Sequence, residues 1–232
     1  MMIDMATHKS ILIRVLKDIY TDLTIGPFLG FKGGTAVYLF YDLNRFSVDL
    51  DFDLLDPLKE KYVFAQVKKI LEEYGTVKQA DEKKYSLFFK LAYAENQTNI
   101  KVDINLRHFG SQYEVKSYLG ISMKVMVRAD IVAHKMVALI ERNANRDLFD
   151  TYFFLKNNWP INEQIIKQRT GLSMSDFLKK CIDKLDHWDK RHILSELGDL
   201  LDAKQKQWVK DKLLDETIFL LRLKLENHHF ES

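Results

Sequence analysis

Apolar residues recur along the first half of the chain with a period that changes from stretch to stretch. Ile11, Leu12, Val15, Leu16, Ile19, Tyr20 and Leu23 keep the 3.6-residue spacing of an amphipathic helix over 3–24, which Pro27 stops. The apolar run 28–31 ahead of Gly33-Gly34 predicts a strand entering a tight turn; 35–41 reads as a helix and the alternating 48–55 as a strand. Pro57 opens another helix near Leu58, with Val63, Phe64, Val67, Ile70 and Leu71 on one face and Gly75 at its end. The β-like runs 85–93 and 99–107 flank a polar stretch, 95–98, and predict a hairpin, whereas 113–126 is β-like with a mixed pattern. From Arg128 onward each segment carries the helical period: 129–143, 146–156, 162–170, 174–187 and a long stretch at 191–228. The pattern predicts an α+β protein: a mixed β-sheet lobe with flanking helices over 1–125, then an all-helical lobe over 126–232.

Composition narrows the function. The 232 residues allow one large domain or two small ones, and 47% hydrophobic with 12% aromatic residues excludes a disordered chain. Lysine and arginine number 35 against 33 acids, a net charge of +2 that is too balanced for binding nucleic acid by overall charge, so an anionic partner must meet a local cluster. The one cysteine, Cys181, excludes a disulfide framework and a cysteine zinc finger; beside Ile182 and Leu185 it reads as core packing. No apolar run reaches a membrane-spanning length of roughly 18–20 residues, and the first ten residues carry no secretory signal, so a cytoplasmic protein with no membrane association is expected. His134 and His187 fall in no metal-binding spacing, His228-His229 lies at the tail, and the lysines of 204–212 have acidic neighbours and read as a solvated helix face.

The chemistry gathers in 31–53. Asp49 and Asp51 are two apart on a strand and so share a face, about 6.6–6.8 Å apart along the chain, while Leu50, Phe52 and Leu54 take the other. Asp53 continues the acidic row or is merely solvated. In 100–107, Asp103 alternates with apolar residues and is flanked by Lys101 and Arg107. Were the two strands neighbours, Asp103 would meet Asp49 and Asp51. Two carboxylates about 4 Å apart repel by roughly 4 kcal/mol at an effective dielectric of 20, so the cluster asks for a cation or a proton. Oxygen ligands on rigid strands suit Mg²⁺ or Mn²⁺, and magnesium completes its shell with substrate phosphates. Gly33-Gly34-Thr35 supplies the phosphate half: glycines allow close backbone approach, and the helix start attracts anions. A phosphate cradle ahead of paired carboxylates suits nucleotidyl transfer, with metal ions bridging the triphosphate and the acceptor oxygen and Asp103 helping to deprotonate the attacking hydroxyl.

Gly33-Gly34-Thr35, thirteen residues, Asp49-Leu-Asp51 and later Val102-Asp103-Ile104 resemble the DNA polymerase β-like nucleotidyltransferase superfamily. Lys32-Gly-Gly-Thr-Ala36 with Arg45-Phe-Ser-Val-Asp-Leu-Asp-Phe52 more narrowly resembles the AbiEii/AbiGii toxin family of nucleotidyltransferases, and 129–140 followed by Arg146-Asp-Leu-Phe-Asp150 agrees. The resemblance implies a nucleotidyltransferase-like sheet lobe, magnesium, and a nucleoside triphosphate as substrate. It also implies toxin activity in a bacterial toxin–antitoxin pair, phage defence among its settings, and RNA, including tRNA 3′ ends, as acceptor. It places Lys135 and the Arg146, Asp147 and Asp150 group in the family's C-terminal active-site motifs. Thr35 departs from the serine common across the superfamily but keeps a hydroxyl.

Plainer readings stand beside these. Gly-Gly-Thr alone is a turn, and Asp-x-Asp alone a solvated strand face; the joint order, spacing and Asp103 favour the site. Lys135 could lay its stem over apolar surface with its ammonium in water. Arg146 and Asp150 could be an intrahelical pair, with Asp147 favoured by the helix dipole. Lys32 and Arg45 could touch phosphates, or Arg45 could pin the loop to an acid. A basic rim of Lys32, Arg45, Lys101, Arg107 and Lys135 would meet RNA. Two rival functions remain: a nucleotidyltransferase with a small-molecule, antibiotic-like acceptor, and a partner-binding module with a vestigial site.

Overall fold

The computed structural model describes residues 4–95 and 99–231, with side chains as far as His228. The chain forms two compact units: one runs up to His108 and adds Gln112–Met126, the other comprises Phe109–Ser111 and Val127 onward.

In the first unit, α1 (Met5–Thr21) starts at Asp4, whose carboxylate accepts from the N–H groups of Ala6 and Thr7. β1 (Leu29–Lys32) leads through the glycine turn into α2 (Gly33–Phe40). Then come β2 (Leu50–Leu54), α3 (Glu60–Glu72), entered through a 3₁₀ turn at Pro57–Lys59, β3 (Thr76–Lys83) and β4 (Ser86–Ala92). β5 (Ile100–Asn105), β6 (Tyr113–Tyr118) and β7 (Ile121–Met126) complete a seven-stranded sheet of order β3-β4-β5-β2-β1-β7-β6. β2 pairs parallel with β5 and β1 with β7; the other pairs are antiparallel. Leu50, Phe52, Leu54, Leu87, Phe89, Val102 and Ile104 bury one sheet face in a core shared with Leu12, Val15, Leu16 and Ile19 of α1 and Val63, Val67 and Leu71 of α3.

The β4–β5 pairing matches the hairpin expected from the alternation; the turn assigned to 95–98 lies from 96 on outside the described residues. β3 escapes the sequence pattern because it is an edge strand. Thr-Val-Lys-Gln-Ala-Asp-Glu-Lys has little apolar side to show, and its charges discourage further pairing. The mixed run 113–126 resolves into a hairpin whose turn residues, Leu119 and Gly120, both have positive φ (50° and 79°), the geometry that matches the twist of two-residue hairpins.

The second unit is helical apart from its connections. It contains α4 (Arg128–Glu141), α5 (Asn145–Lys156), α6 (Glu163–Thr170), α7 (Met174–Asp186), α8 (Ala203–Trp208) and α9 (Leu214–Glu231). A π-helical turn, Val209–Leu213, joins the last two. The long helix expected over 191–228 is corrected. Residues 190–201 form 3₁₀ turns around Glu196, which has φ 61°, and continuous helix begins only after Asp202, which caps α8. Asp and Gly side-chain and backbone preferences interrupt what the apolar period alone would continue. Cys181 is buried in α7, and burial pushes its thiol up to about 12, as a packing cysteine requires. Lys204, Lys210 and Lys212 are exposed. Among the described residues, no helix is long and apolar enough to cross a membrane.

Candidate active site

The polar face of the sheet carries the acids. Leu50, Phe52 and Leu54 point into the core, so Asp51 and Asp53 point the other way, as do Asp103 and Asn105 on β5. Parallel pairing of β2 with β5 sets Asp51 opposite Asp103 and Asp53 opposite Asn105; antiparallel pairing of β1 with β2 sets Lys32 opposite Asp51. One lateral row therefore reads Phe88, Asp103, Asp51, Lys32 across β4, β5, β2 and β1. Asp49 lies just before β2, at the strand's mouth rather than inside it, and the Lys101 N–H donates to its Oδ1 at 3.4 Å.

The glycine turn abuts this row. Gly33 has φ +78°, and a Cβ there would overlap the Asp51 carboxylate; a Cβ on Gly34 would come within 2.9 Å of the Arg45 guanidinium and 3.0 Å of the Ser47 hydroxyl. Thr35 is wholly buried: its hydroxyl shares a 2.9 Å hydrogen bond with Ser47 and donates to the Asp49 carbonyl. The Thr35 hydroxyl thus sets the backbone at Asp49, while its backbone N–H belongs to the first turn of α2. Arg45 is buried, 4% exposed, with Nη1 donating to the Phe46 carbonyl at 3.0 Å. It lies beneath the turn, and its expected place on a basic rim is corrected.

Asp53, expected to be solvated if not part of the site, is 6% exposed and fully engaged. Its Oδ1 accepts from Lys32 Nζ (2.5 Å) and Asn105 Nδ2 (2.7 Å), and its Oδ2 from the Tyr113 hydroxyl (2.5 Å). Burial pushes its carboxyl upward, but Lys32, Tyr113 and Asn105 together prevail and hold it below the ordinary carboxylate range. Asp103 goes the other way: burial dominates and lifts its carboxyl above the ordinary range, against Lys32, Ser86, Lys83 and Arg107. The two acids are thereby shifted in opposite directions.

His8 of α1 is a site neighbour that no motif announced. It is wholly buried, with Nε2 3.0 Å from the Val48 carbonyl and Nδ1 2.9 Å from the Tyr93 hydroxyl. A carbonyl only accepts, so Nε2 carries the proton and Nδ1 accepts from Tyr93. Burial lowers its pKa, which favours that neutral form. His8 and Thr35 therefore grip consecutive carbonyls, Val48 and Asp49, at the head of the acid row. The signal available in the sequence was its place four residues before Leu12, in line with the apolar stripe of α1.

In the helical unit, Lys135 of α4 is 3.1 Å from Asp147 Oδ1 and 2.8 Å from Asp150 Oδ2 on α5, and Arg142 clamps Asp147 through Nε at 2.6 Å and Nη2 at 3.1 Å. The side chains of Asp147 and Asp150 are 1% and 0% exposed. Burial pushes the Asp147 carboxyl up, yet Lys135 and Arg142 outweigh it and hold it below the usual range. The alternative of a Lys135 ammonium in water is corrected, and so is Lys135 as a rim cation. Arg146 is half-buried in the first turn of α5. Arg142 is the member of this group that sequence reasoning missed, because it precedes the Arg-Asp-x-x-Asp motif.

Among the described residues, no group of three or more His, Cys, Asp or Glu side chains is gathered tightly enough to hold a metal by itself, so the expected convergence of Asp49, Asp51 and Asp103 is not preassembled. The donor set nonetheless fits magnesium or manganese: Asp51 and Asp103 are hard oxygen donors on adjacent rigid strands, and magnesium characteristically takes one or two carboxylates with substrate phosphates.

The fold is similar to that of proteins of known structure. JHP933 from Helicobacter pylori shares 23% identity over 98% of this chain and 95% of its own, with a TM-score of 0.60. MenT4, a nucleotidyltransferase toxin from Mycobacterium tuberculosis, shares 16% identity over 94% of this chain and 93% of its own, with a TM-score of 0.56. No curated protein matches by sequence. The model of the nucleotidyl transferase AbiEii toxins of type IV toxin–antitoxin systems matches residues 14–214, a span that contains the glycine turn, the acid row and the Lys135 cluster, so the chain belongs to the AbiEii family of nucleotidyltransferase toxins.

Proposed function

We propose that this toxin transfers a nucleoside monophosphate from a nucleoside triphosphate to a hydroxyl of RNA, with the tRNA 3′ end as the leading acceptor, and that a cognate antitoxin restrains it. The observation that carries the reading is the packing of the Gly33 turn directly against Asp51, itself in register with Asp103. Backbone N–H groups of the turn and the Lys32 ammonium meet the triphosphate. Asp51 and Asp103, with Asp49 at the strand's mouth, would hold Mg²⁺ or Mn²⁺, which supplies charge neutralisation when bound. The acceptor oxygen bonds to the α-phosphorus, the bond to pyrophosphate breaks, and Asp103 takes the hydroxyl proton.

A polyanionic acceptor is supported by the sheet edge beside Asp103. Tyr85 is 51% exposed, with Lys84 Nζ 5.0 Å and the Arg107 guanidinium 5.6 Å from its ring centre, and Lys83 lies 4.2 Å from the ring centre of Phe88, the register partner of Asp103. Aromatic faces set among cations suit single-stranded nucleic acid. This cluster extends the rim expected from the sequence, of which Lys32, Lys101 and Arg107 are kept and Arg45 and Lys135 turn inward.

The test incubates the purified protein with Mg²⁺, each α-labelled nucleoside triphosphate, total RNA and a panel of small hydroxylated metabolites. Label is expected at RNA 3′ ends, and Asp51→Asn should abolish it; expression of the wild type but not of this variant should arrest bacterial growth. Preferential labelling of a metabolite overturns the acceptor. Arrest that persists in Asp51→Asn overturns the enzymatic reading in favour of a binding module.

A further inference from the structure

We propose that Asp53, Asn105 and Tyr113 are positioning residues that fix the Lys32 ammonium as a built-in phosphate contact, and that Gly30 is glycine in order to admit the Tyr113 ring; this rests on the nucleotide-binding reading above. Lys32 stands opposite Asp51 across β1 and β2, yet its ammonium bonds two residues along the strand, to Asp53. Three donors from three strands converge on that one carboxylate: Lys32 from β1, Asn105 from β5 and Tyr113 from β6. A carboxylate gripped on both oxygens by charge-assisted and hydroxyl bonds has little rotational freedom, and neither has the ammonium it holds. The Lys32 side chain is 21% exposed, so its head is held in place without being sealed from a ligand.

Sheet folding does not call for this arrangement. A buried ion pair stabilises no better than apolar residues of the same volume. The Tyr113 ring reaches Asp53 by lying over Gly30, where a Cβ would fall inside the ring. A glycine inside a strand forfeits side-chain packing and rigidity. The network thus gives up local sheet stability at two places, and what it holds is one cation beside the row that carries Asp51 and Asp103. Asn105 is itself oriented: its Nδ2 also donates to the Arg107 carbonyl at 2.8 Å, and Arg107 Nε donates to its Oδ1 at 3.2 Å. Asn105 and Tyr113 are therefore braced in turn, the one by Arg107 and the other by the space above Gly30.

The experiment is a double-mutant cycle on nucleotide binding together with a direct probe of Lys32. Tyr113→Phe removes one hydroxyl and keeps the ring. Titration of the full chain with each magnesium–nucleoside triphosphate should show Tyr113→Phe weakening binding about fivefold in the wild-type background and not at all in Lys32→Met, because a residue that acts through Lys32 has no effect once Lys32 is gone. Reductive methylation followed by mass spectrometry should show Lys32 modified about fivefold faster in Tyr113→Phe and in Asp53→Asn, as expected for groups coupled through one network. Melting curves confirm that Tyr113→Phe remains folded, so the result does not depend on the more disruptive Asp53→Asn. Equal weakening in both backgrounds, or an unchanged Lys32 modification rate in Tyr113→Phe, overturns the proposal. Unchanged binding in Lys32→Met, with transfer still lost in Asp51→Asn, overturns this proposal alone. Absence of nucleotide binding by the wild type overturns the nucleotide reading and the proposal with it.

Discussion

Gly33 lacks a Cβ at the place where the Asp51 carboxylate lies, so the glycine turn and the acid row are one packed structure rather than two motifs near each other in sequence. The same residue has φ +78°, a left-handed conformation that costs an L-residue with a Cβ roughly 1–2 kcal/mol.

Gly33→Ala should accordingly lower stability by about 1–3 kcal/mol, the backbone cost plus the displacement of Asp51. Nucleotidyl transfer should fall further than stability does. Denaturant melts and labelling assays on the same preparation would separate the two; wild-type transfer would show that the turn does not hold the acid.

Asp103→Asn should raise the melting temperature at neutral pH while removing transfer. Burial raises the folded pKa of Asp103 above its unfolded value of 3.8. A raised acid adds stability fully below the unfolded pKa and loses it as pH rises through the folded one, so at pH 7 the ionised form is the less favourable one. The gain in the variant should shrink as pH falls toward 3.8 and below, which thermal melts across pH would read. A lower melting temperature at pH 7 would contradict the assignment.

Lys135→Ala should destabilise the helical unit by about 3–5 kcal/mol, because it leaves the buried carboxylates of Asp147 and Asp150 without their shared cation. Asp147 has a lowered folded pKa, so its contribution is present above 3.8 and is lost as pH falls through the folded value. Wild type should lose stability over that acid range more steeply than Lys135→Ala. A variant that melts like the wild type at neutral pH would return Lys135 to a surface role.

Lys84→Gln should reduce the slope of log affinity for single-stranded RNA against log salt by about 0.7, the loss of one phosphate contact. Tyr85→Ala should cost about 1–3 kcal/mol of RNA binding, the worth of one stacked base. Filter binding at several salt concentrations measures both; unchanged slopes and affinities would move the acceptor away from this sheet edge.

The sequence by itself determined most of the elements and the candidate chemistry of the acid row. Period-3.6 and period-2 patterns are local, and so they placed α1, β2, β5 and the helices to Asp186 within a few residues. The Gly33-Gly34, Asp49, Asp51 and Asp103 motifs were readable for the same reason, since alternation alone sends Asp51 and Asp103 to the polar face. Elements whose residues are shaped by exposure, not by a buried face, were not legible: the charged edge strand β3 shows no period, and the 3₁₀ turns of 190–201 follow the Asp189 cap and the left-handed Glu196, which hydropathy does not register.

Only the tertiary structure decided what each polar side chain does, because that depends on partners distant in sequence. Asp53 became a buried hub through Tyr113, sixty residues away, and Asn105, fifty-two away. Thr35 turned inward because Asp49's carbonyl, fourteen residues on, needed a donor. Arg45 went under the glycine turn, and Lys135 between two buried acids, because burying a charge is tolerable only beside groups that compensate it. A sequence specifies which face a residue occupies by counting along one element; whether its charge is spent internally or kept for a ligand is settled by register between strands and by packing between helices, which no single stretch contains.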